Sequence, residues 1–556
     1  MLKSILAVLI ALSGMVAYGM GSRDRLKVQT TEDAAMHIAK WRVIMNWDGG
    51  PVYDMPAWMT EPGEFRTKAI DRFRAIGAAV VTYGMGCTDL VNYDSKYSEC
   101  FGQYDDEYSR EVLKNENKRK DKEHCDQMMR EQRFPLTVLV EEGHKAGLVV
   151  LASFRMNDTH DLYYSSKTPD DGVPLARFKR EHPELLIKDD QGWTKYCLDF
   201  AHAAVRERRY NQITEVVDRW LVDGVELDYM RNGFFFARGK ERENAALMTD
   251  LVMRLREMLD EHGRKRGKQL YLVVHTPMTQ EVSLDCGLDV EGWIRQGLVD
   301  AVVADEGCTP FSVTPSDFVR AARETGKCRV FSTIDIGLGL PERTEPEKGC
   351  NSPVSQAWTP AQLRSWAMTQ REAGVDGLNI FNGHYGRTDL LLTNVFGPTK
   401  NWWDFTAKDK TFVAQNASFC ANMPRKAVPK IEMLPKNIEP AKEQWIDVFV
   451  PAAMTSPPEK AALRATVLRL IFRNILPGDQ LDVRFGDLAL GCCIGGTPPP
   501  AGVQVSKSGN RTEVTVTVDV AKIAAGANRI TVQLQRRDPA KSPPVIWNYA
   551  ELQFRY

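Results

Sequence analysis

From residue 41 to about 383 the chain alternates short apolar runs with longer segments whose apolar residues recur at helical spacing. Eight of the short runs read as strands: WRVIMNWDGG (41–50), GAAVVTYGMG (77–86), GLVVLASFRMND (147–158), DGVELDYMR (223–231), QLYLVVHTP (269–277), DAVVADEG (300–307), RVFSTIDIG (329–337) and DGLNIFNG (376–383). Helices are expected between them, among others over 203–220, 241–264, 289–297, 315–325 and 360–373. The last has Thr359 as N-cap ahead of Pro360. Strict alternation of strand and helix implies a parallel sheet, and eight such units match a closed (β/α)8 TIM barrel of the α/β class. A doubly wound open sheet is the alternative. No glycine-rich phosphate loop follows the first strand, which disfavours a dinucleotide fold.

The pattern changes after residue 424. A proline- and lysine-rich stretch (425–460) gives way to short alternating runs, ATVLRLIFR, QLDVRFGDL, EVTVTVDV, NRITVQLQR and ELQFRY, with turns at Pro477-Gly478 and Ser508-Gly509-Asn510. These predict a C-terminal all-β sandwich. The expected organisation is an export signal over 1–19, a barrel over 20–424 and the sandwich over 425–556. The barrel's second and third strands are followed by long insertions, 92–133 and 159–200, the latter carrying Tyr163, Tyr164 and Trp193. Insertions on that side of a barrel build substrate sites.

Composition narrows the partners. With 72 basic and 73 acidic residues, the chain has no overall charge to draw it to nucleic acid or an anionic membrane. Lys3 followed by the apolar run Ile5 to Leu12, with Ala17 and Gly19 at the small-residue positions, reads as a cleavable signal. No later stretch is long and apolar enough to span a bilayer, so the expected location is periplasmic or extracellular. The 11 cysteines are scattered rather than paired at metal-binding spacing, and their pairing is not legible.

Candidate chemistry gathers at strand ends. In DGVELDYMR, Val225 and Leu227 alternate with Glu226 and Asp228, which puts two carboxylates on the inner face of a buried strand. A structural ion pair is one explanation, and a catalytic carboxylate at the barrel mouth is the sharper one. Other strand ends add Asn46, Trp47 and Asp48; Arg155, Asn157, Asp158 and His160; Tyr229 and Arg231; His275; Asp305 and Glu306; Asp335; and Asn382, His384 and Tyr385. Together they predict a polar cup with aromatic walls, suited to a sugar. Cleaving a glycosidic bond takes two carboxyl groups, one to protonate the leaving oxygen and one to attack the anomeric carbon or activate water. Asp228, beside Arg155 and Arg231, is the expected nucleophile. Glu306 or Asp305 is the acid/base, with Asp335 in reserve, and Glu226 sits one layer deeper. A metal site built from Asp158, His160 and Asp161, with Asp48 and His275 converging, is the competing chemistry. Its spacing matches no zinc helix motif, and no cofactor is implied.

FRMNDTHD (154–161), LDFAHAAVRERR (198–209), DGVELDYMR (223–231) and LDVEGWIRQGLVDAVV (288–303) resemble the family-10-like glycosyl hydrolases, bacterial (β/α)8 proteins of polysaccharide degraders. The resemblance implies a secreted carbohydrate-active enzyme without naming its substrate. Barrels with glutamates on strands four and seven carry Asn-Glu at the end of strand four, where this chain has Leu227-Asp228. An aspartate there, with an acid on strand six, is similar in position to the α-galactosidase and α-glucosidase layout. A non-catalytic glycan-binding barrel and a metal-dependent polysaccharide deacetylase or lyase are the other functions open to this sequence.

Overall fold

The computed structural model describes residues 38, 40–48, 57–100, 110, 113–163, 175–188, 194–230, 232–305, 312–334, 359–382, 388–397, 404–414, 432–496, 500–537 and 543–556. Its centre is a closed barrel of eight parallel strands: β1 (Val43–Trp47), β2 (Val80–Gly84), β3 (Val149–Arg155), β4 (Gly224–Asp228), β5 (Tyr271–Pro277), β6 (Ala301–Asp305), β7 (Arg329–Ile334) and β8 (Gly377–Phe381). Each pairs with its neighbour in sequence, and β8 closes on β1 with Asn46 beside Phe381. Each strand falls inside the run that predicts it.

Almost every barrel position is buried, and the period of two sorts the side chains into two apolar layers. Met45, Val81, Leu227, Val274 and Val302 face the surrounding helices, while Ile44, Val80, Leu151, Val273, Val303 and Phe331 fill the interior. Trp41, just before β1, packs edge-on against Tyr271 at 4.8 Å between centroids and stoppers the N-terminal end. The interior is therefore solid below, and chemistry is confined to the C-terminal end.

Gly224 opens β4 where the backbone of β5 comes closest. A Cβ there would stand 2.1 Å from the Tyr271 carbonyl oxygen. Gly224→Ala must push two central strands apart, costing on the order of 3 kcal/mol. Thermal unfolding followed by circular dichroism checks this, and an unchanged midpoint would contradict it.

The helix Pro360–Glu372 begins with a full capping box between Thr359 and Gln362 and carries the sandwich on its outer side. Gln362 donates to the Tyr549 hydroxyl (3.3 Å), and Glu372 accepts from the backbone of Ala452 (2.8 Å). The sandwich itself has a six-stranded sheet, with Lys410–Val413, Val545–Arg555, Ala465–Arg473, Arg511–Thr517 and Val503–Ser508 in that order and Lys436–Ile438 beside Val545–Arg555. A four-stranded sheet of Glu443–Val450, Gly526–Arg536, Gln480–Phe485 and Leu488–Ile494 faces it. Lys410–Val413 precedes residue 424, so the chain enters this sheet ahead of its change in composition. No helix among the described residues is long and apolar enough to cross a membrane.

Candidate active site

Above the apolar plug the inner positions turn polar, in two tiers set by strand register. Asn46 on β1, Thr82 on β2, Ser153 on β3 and Glu226 on β4 form the lower tier. Asn46 donates through Nδ2 to Glu226 Oε1 (2.8 Å) and to Thr82 Oγ1 (2.9 Å), and the Ser153 hydroxyl donates to the same Glu226 oxygen (2.7 Å). The other carboxyl oxygen, Oε2, has no hydrogen-bond partner in a fully buried setting. Burial raises the Glu226 pKa, and the nearby Asp228 charge adds to this while His275 opposes it.

The upper tier comprises Asp228, His275 and Asp305, the inward residues near the ends of β4, β5 and β6. His275 Nε2 lies 2.9 Å from Asp305 Oδ2, and its Nδ1 stands 3.4 Å from Asp228 Oδ1. One imidazole thus spans the two carboxylates. Asp228 Oδ1 also accepts from the backbone N–H of Met230 (2.9 Å), which fixes the rotation of the carboxylate. Burial by itself lowers the His275 pKa, but Asp228, Asp305 and Glu226 outweigh it and lift the group to about 9. His275 is therefore a cation at neutral pH, held among three acids.

A charged ladder runs along one side of this tier. Arg155, on the last position of β3, donates through Nη1 to Asp158 (2.9 Å) and through Nη2 to Asp48. Asp48 is further held by Asn382, whose amide donates to Oδ2 (2.6 Å) and whose own oxygen accepts the Asp48 N–H (3.1 Å). Asn382 sits at φ 49°, a left-handed conformation that asparagine tolerates. His160 Nδ1 meets Asp158 Oδ1 at 2.5 Å. Arg155 is thus committed to Asp48 and Asp158 and acts on Asp228 only as a nearby charge. Arg155→Met removes the guanidinium that Asp48 and Asp158 share and is expected to cost about 3–5 kcal/mol, read from urea unfolding.

Two expected walls of the cup lie elsewhere. The alternation that turns Asn46 and Asp228 inward turns Trp47 and Tyr229 outward. Trp47 packs among Phe65, Phe73 and Tyr83, and Tyr229 against Phe235 and Trp293, both in the layer beneath the helices. Asn157 is also withdrawn from the mouth, its amide binding the Leu198 and Phe234 carbonyls and the Leu198 N–H, where it ties two loops together. Arg231, Glu306, Asp335 and His384 lie outside the described residues, as do the signal segment 1–19, Tyr164 and Trp193.

No family model matches the chain, and no curated protein does. Solved structures match at low identity, and three glycoside hydrolases are among them. A glycoside hydrolase domain from Bordetella bronchiseptica is 13% identical with a TM-score of 0.38 over 65% of this chain and 99% of that one. A GH29 α-L-fucosidase from Bacteroides thetaiotaomicron is 11% identical with a TM-score of 0.34 over 91% and 96%. For α-L-fucosidase isoenzyme 2 from Paenibacillus thiaminolyticus the values are 12% and 0.37 over 64% of this chain, which spans about half of that enzyme (49%). The closed eight-stranded barrel is established by the strand pairing of this chain itself. Likeness of this depth assigns neither substrate nor residue roles, which rest on the site alone.

Among the described residues, Cys87, Asp158 and His160 are the group whose donor atoms come close enough to hold a metal, within 4.8 Å of one another. Asp158 already meets Arg155 with one oxygen and His160 with the other, so an ion would have to displace one of them. Asp161 is turned away against Lys179 (2.8 Å), and His275 is engaged with Asp228 and Asp305. These contacts supply no open coordination position of the kind catalytic metal sites keep. Burial raises the thiol pKa of Cys87 and of Cys197, which leaves both poor nucleophiles.

Thr82, Ser153, Thr333 and Asn379 were not singled out from the sequence. Each is a polar residue inside an otherwise apolar run, and that interruption is the signal that marks them. Thr333 Oγ1 accepts from the Asn379 amide (3.1 Å) and stands 3.4 Å from His275 Nε2.

Proposed function

We propose that the protein is a glycoside hydrolase acting on a poly- or oligosaccharide, with Asp228 as nucleophile and Asp305 as the second carboxyl group. One observation carries this reading: two carboxylates at the barrel's C-terminal mouth, held one imidazole apart. That puts the second carboxyl group within about 10 Å of Asp228, where a retaining pair stands about 5–5.5 Å apart and an inverting pair roughly 6.5–9.5 Å. A retaining course is the favoured one, in which Asp228 attacks the anomeric carbon and the acid/base first protonates the leaving oxygen, then activates water. His275 contributes a proton hydrogen-bonded to Asp305, available for delivery through that carboxyl group to the leaving oxygen. Glu306 follows Asp305 directly and remains the alternative acid/base. Glu226 and Asn46 support the floor beneath Asp228.

The test is turnover of a panel of aryl glycosides and polysaccharides, scored by released sugars, with the product anomer followed by proton NMR. Release of the retained anomer is expected. Oligosaccharide binding with no release would replace this reading with a glycan-binding barrel, and activity lost with a chelator would replace it with metal chemistry. The proposed export rests on residues 1–19. N-terminal sequencing of protein produced in a bacterial host with its leader should begin at Met20, and an intact Met1 end would refute cleavage.

A further inference from the structure

The insertion after β2 starts with a small three-stranded sheet, Gly86–Cys87, Leu90–Val91 and Glu99–Cys100, and continues into the helix Glu116–Glu131. Cys100, on the last of these strands, and Cys125, on the helix, are both fully buried, and their Sγ atoms are 3.0 Å apart. This is closer than two unbonded sulfurs rest and roughly 1 Å longer than a disulfide bond. It is the one sulfur–sulfur contact among the described residues. The same two elements line a cavity of about 540 Å³, to which Tyr97, Glu99, Lys122, Phe178 and Arg208 contribute. Glu99 adjoins Cys100, and Lys122 lies one helical turn before Cys125.

We propose that Cys100 and Cys125 are a covalent modification site: in an oxidising environment they form a disulfide that pins the helix to the small sheet and fixes two walls of this cavity. The oxidant is a disulfide, either oxidised glutathione or a thiol oxidoreductase. The thiolate of one cysteine attacks it to give a mixed disulfide and release one thiol. The thiolate of the other then displaces the second, so that two protein thiols become one cystine and the oxidant becomes two thiols. Both thiols are fully buried and out of reach of an external oxidant in the closed protein, so the exchange takes place before the helix docks. The link spans the intervening residues of the insertion and constrains them in the unfolded chain.

The test is peptide mapping without reduction of full-length protein refolded in a glutathione redox buffer. A peptide pair joining Cys100 to Cys125 is expected. Recovery of both cysteines as free, alkylatable thiols after unfolding of the same sample would overturn the proposal. Because other cysteines could also oxidise, thermal unfolding with and without reductant is compared for the parent and for C100A/C125A. Reductant should lower the parent midpoint by several degrees and leave the double variant unmoved. Equal response in the two proteins would show that the pair is only packed.

Discussion

Asp228→Asn is expected to fold like the parent and to lose at least about a thousandfold in kcat, as removal of a group that acts directly in the reaction does. Asparagine keeps an oxygen to accept the Met230 N–H (2.9 Å), so the local geometry has no reason to move. What disappears is the negative charge and the capacity to bond to an anomeric carbon. The same substitution acts on its neighbour. Asp228 is the leading charge that lifts His275, so the imidazole pKa should fall below about 9 in the variant, a shift that NMR titration of the ring reads directly. In Asp228→Gly, added azide should restore turnover and give a glycosyl azide of inverted configuration, because a small anion fits where the carboxylate stood. Parent-level activity in Asp228→Asn would move the chemistry to another acid. A loss as large in Glu226→Gln would mean that the lower tier takes part in the reaction, against its proposed supporting role.

The separation of Asp228 from Glu226 by depth was legible because a period of two and an inner face follow from the strand alone. So were the eight barrel strands, whose apolar runs are long enough to be buried on both sides. The aromatic walls illustrate a misreading of the same rule. Trp47 and Tyr229 read as part of the cup only if the strand is taken to end at the preceding polar residue, whereas the alternation runs through them and points them at the helices. The strand Lys410–Val413 was not legible, since KTFV is short and opens on a lysine. Lys410 is nonetheless fully buried, compensated by Glu459 at 3.1 Å, a partner 49 positions away. Arg155 was expected beside Asp228. One of its two partners on the ladder, Asp48, lies 107 residues earlier, and only barrel closure brings the two together.

Stability should fall as pH rises from neutral to about 10, and His275 should be the reason. In the unfolded chain a histidine titrates near its ordinary 6.5, whereas here Asp228, Asp305 and Glu226 hold it at about 9. The folded pKa is the higher one, so the folded state binds the proton more tightly. The stabilisation is complete below about 6.5 and is lost as pH climbs through 9, and the difference corresponds to about 3 kcal/mol. Neutralising this imidazole removes the cation that bridges Asp228 and Asp305. In His275→Gln that condition holds at every pH. The variant should therefore be less stable than the parent by about 3 kcal/mol or more near pH 6, with the gap closing toward pH 10. Urea unfolding at a series of pH values measures it, and a gap that stays constant with pH would show that His275 is not the titrating group. The proposed chemistry adds a second readout. If the His275 proton serves the leaving group through Asp305, His275→Gln should also lose about a hundredfold in kcat on substrates with poor leaving groups. Substrates whose leaving group departs without protonation should lose far less, and that contrast separates proton delivery from a barrel that has merely loosened.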